Sequence, residues 1–444
     1  MNQYFNSGKL SGRCAFSWPL FLLGLFSETQ IKVVGSIGIT ELAMFVLGPF
    51  LLIKDWSLLS KKKFTPFLWL LVLMFVSGLI SILHNRIAFD GAIRGLATPY
   101  SFLTGVVVFH HFLERDIRKT RWFFIGLALS TIISVFVFQR VSNRFVDGYE
   151  VSAMEAMERK MSYSLFWLQQ FISALSMPIN AFYLELPKVY PVAATIFLLI
   201  YGFVQSNNRS SLIMFGGSLF LILVGGKRSR AMQFVQHNFV LITVAALIMA
   251  PIGNFAYKRL ACSGFLGENA QKKYEDQVGA KSNFLQTLMG GRSDFFIGFQ
   301  ACLDKPLTGH GPWALDTTGY RRRFYAEHGA TDQELEQVDW YSRLGALSIP
   351  SHSWLMQSWL WYGLGGLIWA LYLGKLIFST LKNSMGAIPH LYGYFALVLP
   401  ANLWNWLFSP MGGRTQMAFF FTVCLFACYY QRQQNRSRMF VRGW

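Results

Sequence analysis

Residues 64–83 read FTPFLWLLVLMFVSGLISIL, a stretch without a single charged side chain. A helix needs about 20 apolar residues to cross the hydrocarbon core of a bilayer, and this run has that length. It lacks the alternation of a strand, and an unpaired strand would leave its backbone polar groups unsatisfied in lipid. The stretch therefore predicts a membrane-spanning α-helix, and the fold depends on how often this pattern recurs.

Similar apolar runs recur along the 444-residue chain, in which 53% of the residues are hydrophobic and 14% are charged. Soluble domains average about 25% charged residues, so the composition favours a lipid environment. The runs lie at 15–31, 33–53, 64–83, 90–112, 121–139, 163–184, 189–206, 210–225, 238–253, 353–378, 388–408 and 415–430. The sequence thus predicts an all-α polytopic membrane protein with about 12 transmembrane helices, forming one membrane domain over residues 1–444.

A hydrophilic block at residues 254–351, here called the insert, interrupts this pattern between predicted helices 9 and 10. Connections between helices are usually a few residues long, and long ones often carry function. Residues 293–303 carry apolar side chains at helical spacing, which predicts a short helix that ends before Pro306. Residues 330–344 predict a second, solvated helix. We therefore expect a large outward-facing loop that contains short helices.

The basic loops predict the orientation of the chain in the membrane. Four clusters fall on one side of the predicted spans, at residues 61–63, 115–121, 227–230 and 432–442. The positive-inside rule makes that side cytoplasmic, so both termini are expected in the cytoplasm and the insert outside. The net charge of +18 follows from these loops, because the insert holds eleven basic and eleven acidic residues. Nucleic-acid binding is not needed to explain the charge.

The cysteines and histidines predict no metal site, since no spacing typical of a ligand set occurs. The adjacent His110 and His111 stand at a helix end and are interpreted as interfacial residues. Cys262 and Cys302 both lie in the insert, where an oxidising compartment would allow a disulfide. Their separation in space is not encoded by sequence spacing, so the sequence leaves this bridge open.

Four arginines and one histidine are predicted at or just below the outer surface, where the positive-inside rule gives cations no advantage. They are Arg94, Arg209, Arg292, Arg414 and His352. Each arginine could reach lipid headgroups or pair with an acid. The alternative is a ligand, and a guanidinium is suited to gripping phosphate oxygens bidentately. A histidine that opens a helix is largely neutral at physiological pH and could accept a proton from a hydroxyl.

Three stretches carry a resemblance to a known family. They are residues 207–211 (NNRSS), residues 291–296 (GRSDFF) running to 305–311 (KPLTGHG), and residues 351–355 (SHSWL) running to 362–366 (YGLGG). In this order the chain resembles the O-antigen ligase and O-antigen polymerase superfamily of bacterial inner-membrane glycosyltransferases. Two positions depart from the pattern of many members: Ser353 stands in place of asparagine, and Phe296 in place of tryptophan.

The resemblance implies an activity and a set of roles. Such enzymes transfer a glycan from undecaprenyl diphosphate to an acceptor hydroxyl on the periplasmic face, without metal, cofactor or nucleotide sugar. Arg209 and Arg292 would bind the diphosphate and His352 would act as catalytic base, with Arg94 and Arg414 as secondary candidates. The donor, a lipid or glycan acceptor, membrane lipids and a chain-length regulator are the partners it implies.

The sequence does not decide which acceptor is used, and it leaves one other class of function as an alternative. A ligase attaches a finished glycan to a lipid acceptor, a polymerase joins repeat units, and a third branch glycosylates proteins. A transporter or flippase of lipid-linked oligosaccharide is the alternative from another class. Transporters usually show internal repeats and charged or broken helices near mid-membrane, whereas the polar groups here cluster at the outer surface.

Overall fold

The computed structural model describes residues 15–27, 29–33, 35–54, 64–113, 119–137, 140–146, 149–152, 163–181, 186–187, 189–200, 209–224, 238, 259–260, 262–264, 271, 293–327, 332–343, 348–351, 353–384 and 392–409. Most of these residues are helical, as the all-α prediction expected. Arg292, His352 and Arg414 lie outside the described residues, and of Arg209 only the backbone is described.

The helices and strands follow one another in this order: α1 (Trp18–Leu25), β1 (Gln30–Val33), β2 (Gly35–Gly38), α2 (Ile39–Lys54), α3 (Phe64–Asn85), α4 (Phe89–Leu113), α5 (Thr120–Phe136), β3 (Arg140–Val146), β4 (Tyr149–Ser152), α6 (Tyr163–Ala181), α7 (Val189–Ile200), α8 (Arg209–Val224), α9 (Ser293–Asp304), α10 (Tyr320–Glu327), α11 (Asp332–Arg343), α12 (Trp354–Ser384) and α13 (Tyr392–Phe408).

Three helices of the described part are long and apolar enough to cross a membrane: Pro66–Asn85, Phe89–Leu113 and Trp354–Ser379. The apolar helices Thr120–Ser134, Phe171–Asn180, Val189–Ile200 and Met214–Leu223 are shorter. The protein therefore has the helical character of a membrane protein. Residues 239–253 of the span predicted at 238–253, and the whole span predicted at 415–430, lie outside the described residues.

The first two predicted spans differ from the structure. Helix α1 ends at Leu25, and strands β1 and β2 pair as an antiparallel hairpin where the spans 15–31 and 33–53 were predicted to meet. Glu28 and Lys32 fall in this stretch, and charged residues are costly within a spanning helix. A second hairpin pairs β3 with β4 between α5 and α6. The all-α prediction thus missed two small antiparallel ribbons.

Helices α3, α4 and α12 pack against one another in the bundle. The Tyr362 hydroxyl on α12 donates a 2.6 Å hydrogen bond to the carbonyl of Gly95 on α4. The Trp369 and Phe102 rings meet edge to face at 4.7 Å. A Cβ added at Gly365 would overlap Ser77 on α3, so this glycine allows the two helices to approach closely.

Helix α12 is broken at Gly363, which was not predicted. Gly363 adopts φ 58° and ψ −145°, outside the helical region. Trp406 on α13 accepts a 2.9 Å bond from Ser353 through its carbonyl and donates a 2.8 Å bond to the carbonyl of Ala370 through its indole. In a straight helix residues 353 and 370 would be about 25 Å apart. The segments 354–362 and 364–384 therefore meet at a sharp angle, and the predicted span 353–378 is not one continuous helix.

The insert supplies the backbone that occupies this break. The Leu364 N–H donates to the carbonyl of Leu307 at 3.0 Å, and the His310 N–H donates to the carbonyl of Leu360 at 2.7 Å. The Asn85 side chain at the end of α3 donates to the carbonyl of Gly309 at 3.0 Å. The end of the bundle that carries these contacts is called the insert end below.

The helices predicted in the insert are confirmed. Helix α9 covers Ser293–Asp304 and α11 covers Asp332–Arg343, close to the predicted 293–303 and 330–344. Helix α10 was missed, because its sequence YRRRFYAE has little apolar periodicity.

The two insert cysteines are free thiols, so the disulfide that the sequence left open is not present. Cys262 is exposed, whereas Cys302 is buried on α9 with its Sγ 3.8 Å from the carbonyl of Met356. Burial raises the pKa of the Cys302 thiol to about 12. Cys302 therefore acts as a packing residue at the interface of α9 and α12.

Candidate active site

The start of α12 is fixed by Ser353, the residue that follows His352. The Ser353 Oγ accepts a 3.3 Å bond from the Met356 N–H and donates a 2.9 Å bond to the carbonyl of Trp406. Ser353 is therefore the N-cap of α12 and also ties it to the last described turns of α13. A helix N-terminus thus follows His352 directly, as the sequence predicted.

Helix α9 packs against the chain segment that enters this cap. A Cβ at Gly298 would lie 2.6 Å from the carbonyl of Pro350, so glycine is needed for the contact. The Phe295 ring, in the first turn of α9, lies 6.2 Å from the ring of Phe408 at the end of α13. The N-terminus of α9, which follows Arg292 in the chain, is therefore beside the same end of α13 as Ser353.

Helix α8, which begins at Arg209, reaches the same place. The Ser218 hydroxyl donates to the carbonyl of Leu397 at 3.1 Å, and the Tyr392 hydroxyl donates to the carbonyl of Leu221. These pairs show that α8 and α13 run antiparallel. Because both helices rise about 1.5 Å per residue, the first residue of α8 lies near the level of Trp406.

The structure thus gathers the N-termini of α8, α9 and α12 at the C-terminal end of α13. A helix N-terminus carries a partial positive charge and unpaired N–H groups, and it is a favourable place for an anion. Helix α13 ends at Phe408, six residues before Arg414 in the chain. The side chains of Arg209, Arg292, His352 and Arg414 are not among those that the structure describes, so their roles stay predictions.

Arg94 is described and has a different environment. Its guanidinium lies 3.9 Å from the carboxylate of Asp90, one turn earlier on α4, and 6.0 Å from the centre of the Trp313 ring. The Arg94 side chain is 41% exposed. Pairing with an acid is one of the explanations that the sequence left open for this arginine, and the contact with Asp90 is consistent with it. Its role as a secondary phosphate ligand stays a prediction.

A buried polar network that the sequence reasoning missed holds the insert together. The His310 Nε2 lies 2.9 Å from the carbonyl of Ala301 and 3.4 Å from the Tyr320 hydroxyl. Tyr320 donates a 2.5 Å bond to the carboxylate of Asp304. Burial lowers the pKa of His310, and burial together with the bond to Asp304 raises the pKa of Tyr320 to about 12. Both groups are therefore uncharged at neutral pH and brace the insert.

Arg321 was also missed, because three consecutive arginines in a hydrophilic loop resemble an ordinary solvated surface. Its Nη1 lies 3.3 Å from the carboxylate of Asp294, in the first turn of α9. The signal that could have located it is Asp316, which caps α10 by accepting the Tyr320 N–H at 2.8 Å and the Arg321 N–H at 2.9 Å.

The cap at Ser353 can be tested by substitution. Replacing Ser353 with alanine removes both the cap and the bond to Trp406, and we expect it to destabilise the protein by about 1–2 kcal/mol. Asparagine caps helices about as well as serine, so Ser353→Asn should retain most of the stability. Thermal unfolding of the purified variants measures this difference. Equal melting temperatures for Ser353→Ala and the unchanged protein would show that the cap is unimportant.

Comparisons with protein-family models, with curated proteins and with solved structures gave no match for this chain. Among the residues that the structure describes, no group of three or more His, Cys, Asp or Glu side chains could hold a metal ion. The function is therefore inferred from the geometry at the insert end and from the resemblance of the three stretches.

Proposed function

We propose that the protein is a membrane glycosyltransferase that moves a glycan from undecaprenyl diphosphate to an acceptor hydroxyl. The observation that carries the proposal is the meeting of three helix N-termini, those of α8, α9 and α12, beside the end of α13. The chain positions next to these N-termini are Arg209, Arg292 and His352. The partial positive charges of these helix N-termini, together with the arginines, would stabilise the negative charge of a departing diphosphate.

The proposed reaction is a single displacement with inversion at the anomeric carbon. His352 takes the proton of the acceptor hydroxyl, and the oxygen forms a bond to the anomeric carbon as the bond to the diphosphate oxygen breaks. The bonding electrons leave with the diphosphate, whose growing negative charge Arg209 and Arg292 stabilise. Since the leaving group is already activated, the reaction needs no ATP and no metal.

The arrangement in the membrane belongs to the same proposal. We place the protein in the bacterial inner membrane with about 12 spans, both termini in the cytoplasm and the insert in the periplasm. A ligase, a polymerase and a protein glycosyltransferase share the donor chemistry and differ in the acceptor. A chain-length regulator is a partner of the polymerase alternative.

A turnover experiment tests the activity. The purified protein is given an undecaprenyl-diphosphate glycan and a candidate acceptor, without ATP or metal, and the products are separated by mass. Formation of glycosylated acceptor and free undecaprenyl diphosphate supports the proposal. Movement of the intact donor across proteoliposome membranes without any product would instead support a flippase.

Loss of the gene distinguishes a polymerase from a ligase. Single repeat units on the lipid acceptor would indicate a polymerase, because joining of the repeats has failed. An unmodified lipid acceptor, with long chains retained on the carrier lipid, would indicate a ligase.

The orientation can be tested with a native residue. Cys262 is exposed, so a membrane-impermeant maleimide added to intact spheroplasts should label it from the outside. The difference in labelling between the unchanged protein and Cys262→Ser isolates this site from the other four cysteines. Labelling of Cys262 only after the membrane is opened would place the insert in the cytoplasm and overturn the proposed orientation.

A further inference from the structure

The break in α12 lies within the membrane span and not at its end. Gly365, just after the break at Gly363, packs closely against Ser77 on α3. Ser77 and Asn85, the last residue of α3, are about 12 Å apart along the helix axis. The candidate span of α3 is Pro66–Asn85, and its whole length is needed to cross a core of about 30 Å. The break therefore lies about 10 Å below the membrane surface at the insert end.

The opposite end of the bundle gives the same depth. Helix α3 begins at Phe64, directly after three lysines at 61–63, and Lys375 on α12 is exposed. Charged groups mark a membrane boundary, because they are costly in the hydrocarbon core. The helix between Gly363 and Lys375 is about 18 Å long. The break is thus about 18 Å from one boundary and about 10 Å from the other, which together match the thickness of the core.

Residues 306–312 of the insert, here called the re-entrant segment, occupy this depth. The Leu307 carbonyl accepts the Leu364 N–H at the break itself. A Cβ at Gly95, within the span of α4, would overlap the ring of Pro312. Non-helical backbone is tolerated at such a depth where other protein groups satisfy it. The bonds from this segment to α12 and α3 meet that condition.

Three apolar side chains of the insert, here called the apolar stripe, are exposed beside the re-entrant segment. Phe299, Leu303 and Leu307 follow one another at intervals of about one helical turn. They are 39%, 55% and 70% exposed, so exposure rises towards the residue at the break. Another side of α9 is buried against α12 and the chain before it, through Cys302 and Gly298. The stripe is therefore a separate, uncovered side of α9.

The apolar stripe is continuous with the exposed side of α12. Leu364, Ile368 and Leu371 are exposed and share one face of the segment that follows the break. Since Leu307 is hydrogen-bonded to Leu364 at 3.0 Å, the two exposed surfaces meet there. An apolar surface that a spanning helix exposes at this depth faces acyl chains. The stripe extends that surface onto the insert.

The charged neighbours of the stripe are bonded to protein groups on other sides. The carboxylate of Asp304 accepts a 2.5 Å bond from the Tyr320 hydroxyl on α10. The Lys305 ammonium donates a 2.7 Å bond to the side-chain oxygen of Asn85, at the end of α3. A lysine can bury its aliphatic stem while its charge stays at the polar boundary. Both charges can therefore lie at the membrane surface while the stripe lies below it.

We propose that the re-entrant segment is seated in the leaflet at the insert end, with the apolar stripe in contact with phospholipid acyl chains. Contact with acyl chains removes these side chains from water, which is favourable for apolar surface. Helix α9 then anchors the insert in the bilayer that surrounds the spans. The inference goes beyond the proposed function and does not rest on it, because a transporter would need the same anchor.

Spin labels on single cysteines test the inference in nanodiscs of phosphatidylethanolamine and phosphatidylglycerol. The native cysteines other than Cys302 are replaced with serine, and Cys302 is kept because it is buried. Leu303→Cys and Leu307→Cys are each labelled with a nitroxide. Collisions of the nitroxide with oxygen, which concentrates among acyl chains, are compared with its collisions with a water-soluble nickel complex. At both positions we expect oxygen to exceed nickel.

Two control positions of matched exposure calibrate the measurement. Leu371 and the side chain of Arg322 are each 51% exposed. Leu371→Cys lies on the spanning part of α12 and should collide mainly with oxygen. Arg322→Cys lies on α10 and should collide mainly with nickel, and it breaks only an exposed ion pair with Asp339, which contributes little stability. Nickel access at Leu371→Cys would show that this part of α12 does not span the membrane, and the inference would fail with it.

Every other pattern at the stripe overturns the inference. More nickel than oxygen collisions at Leu303→Cys or Leu307→Cys would place the stripe in water, on the surface or in a water-filled cleft. Few collisions with either reagent would show that protein covers it, such as a second copy of the chain. Since both side chains are exposed, the labels should leave the melting temperature unchanged. A large decrease would show that the stripe packs against protein. Failure of glycosyl transfer would leave all of these outcomes unchanged.

Discussion

Replacing His352 with alanine is expected to lower the turnover number by about 10²–10⁴-fold, the range that general-base assistance supplies. In the proposed mechanism His352 alone accepts the proton of the acceptor hydroxyl, and a neutral hydroxyl is a poor nucleophile towards an anomeric carbon. The Kd for undecaprenyl diphosphate should remain within about two-fold, because the arginines hold the diphosphate. A loss of turnover without a loss of donor binding separates a catalytic base from a phosphate ligand.

The measurement needs a control histidine at the same end of the bundle. His84 is exposed near the end of α3, so His84→Ala should turn over normally. The turnover of the unchanged protein should also fall at acidic pH, because protonation of a histidine removes the base. More than a tenth of the normal turnover in His352→Ala would remove this residue from the mechanism.

Local patterns in the sequence were enough to predict α9 and α11, two of the short helices of the insert. The apolar spacing of α9 and its stop before Pro306 are properties of neighbouring residues, and α9 ends at Asp304. The same holds for α11. Helix α10 depends on the cap at Asp316 and on contacts with α9 across the fold. Its periodicity is weak, so a pattern search overlooked it.

The break in α12 could not be predicted from local sequence. Residues 353–378 read as one apolar run, and a glycine within a spanning helix is common. The break forms because Leu307, distant in the chain, accepts the Leu364 N–H that a continuous helix would use internally. The motifs at 305–311 and 362–366 are therefore parts of one contact, which their order in the sequence does not reveal.

The candidate site also combines features that the sequence could predict with features that only the fold reveals. Arginines that gain nothing from the positive-inside rule were visible in the sequence, and the described helix ends next to Arg209 and Arg292 lie at one end of the bundle. Arg94 was visible for the same reason but pairs with Asp90. Arg321 was hidden, because only the fold brings it to Asp294. The sequence can identify charged residues whose position has no obvious explanation, but the fold is needed to identify the partner of each charge.

Replacing Gly363 with alanine is expected to destabilise the protein by about 3–5 kcal/mol. The conformation at φ 58° and ψ −145° is accessible to glycine and strongly unfavourable for residues with a Cβ. The added Cβ would also overlap the carbonyl of Leu307. Relief of the overlap requires α12 to straighten or the insert to leave the break, and straightening separates Ser353 from Trp406. We therefore expect loss of undecaprenyl diphosphate binding together with a lower melting temperature.

Gly216 on α8 provides the matched control. Among the residues that the structure describes, a Cβ at Gly216 meets no atom within 4 Å, so Gly216→Ala should stabilise the protein by about 0.5–1 kcal/mol through helix propensity. Thermal unfolding and donor binding are measured for both variants under the same conditions. If Gly363→Ala unfolds at the temperature of the unchanged protein and binds the donor normally, the break in α12 does not organise this end of the bundle. The expected result is a lower melting temperature for Gly363→Ala and a higher one for Gly216→Ala, with loss of donor binding only in Gly363→Ala. That result would show that stability and donor binding both depend on the contact between Leu307 and Gly363.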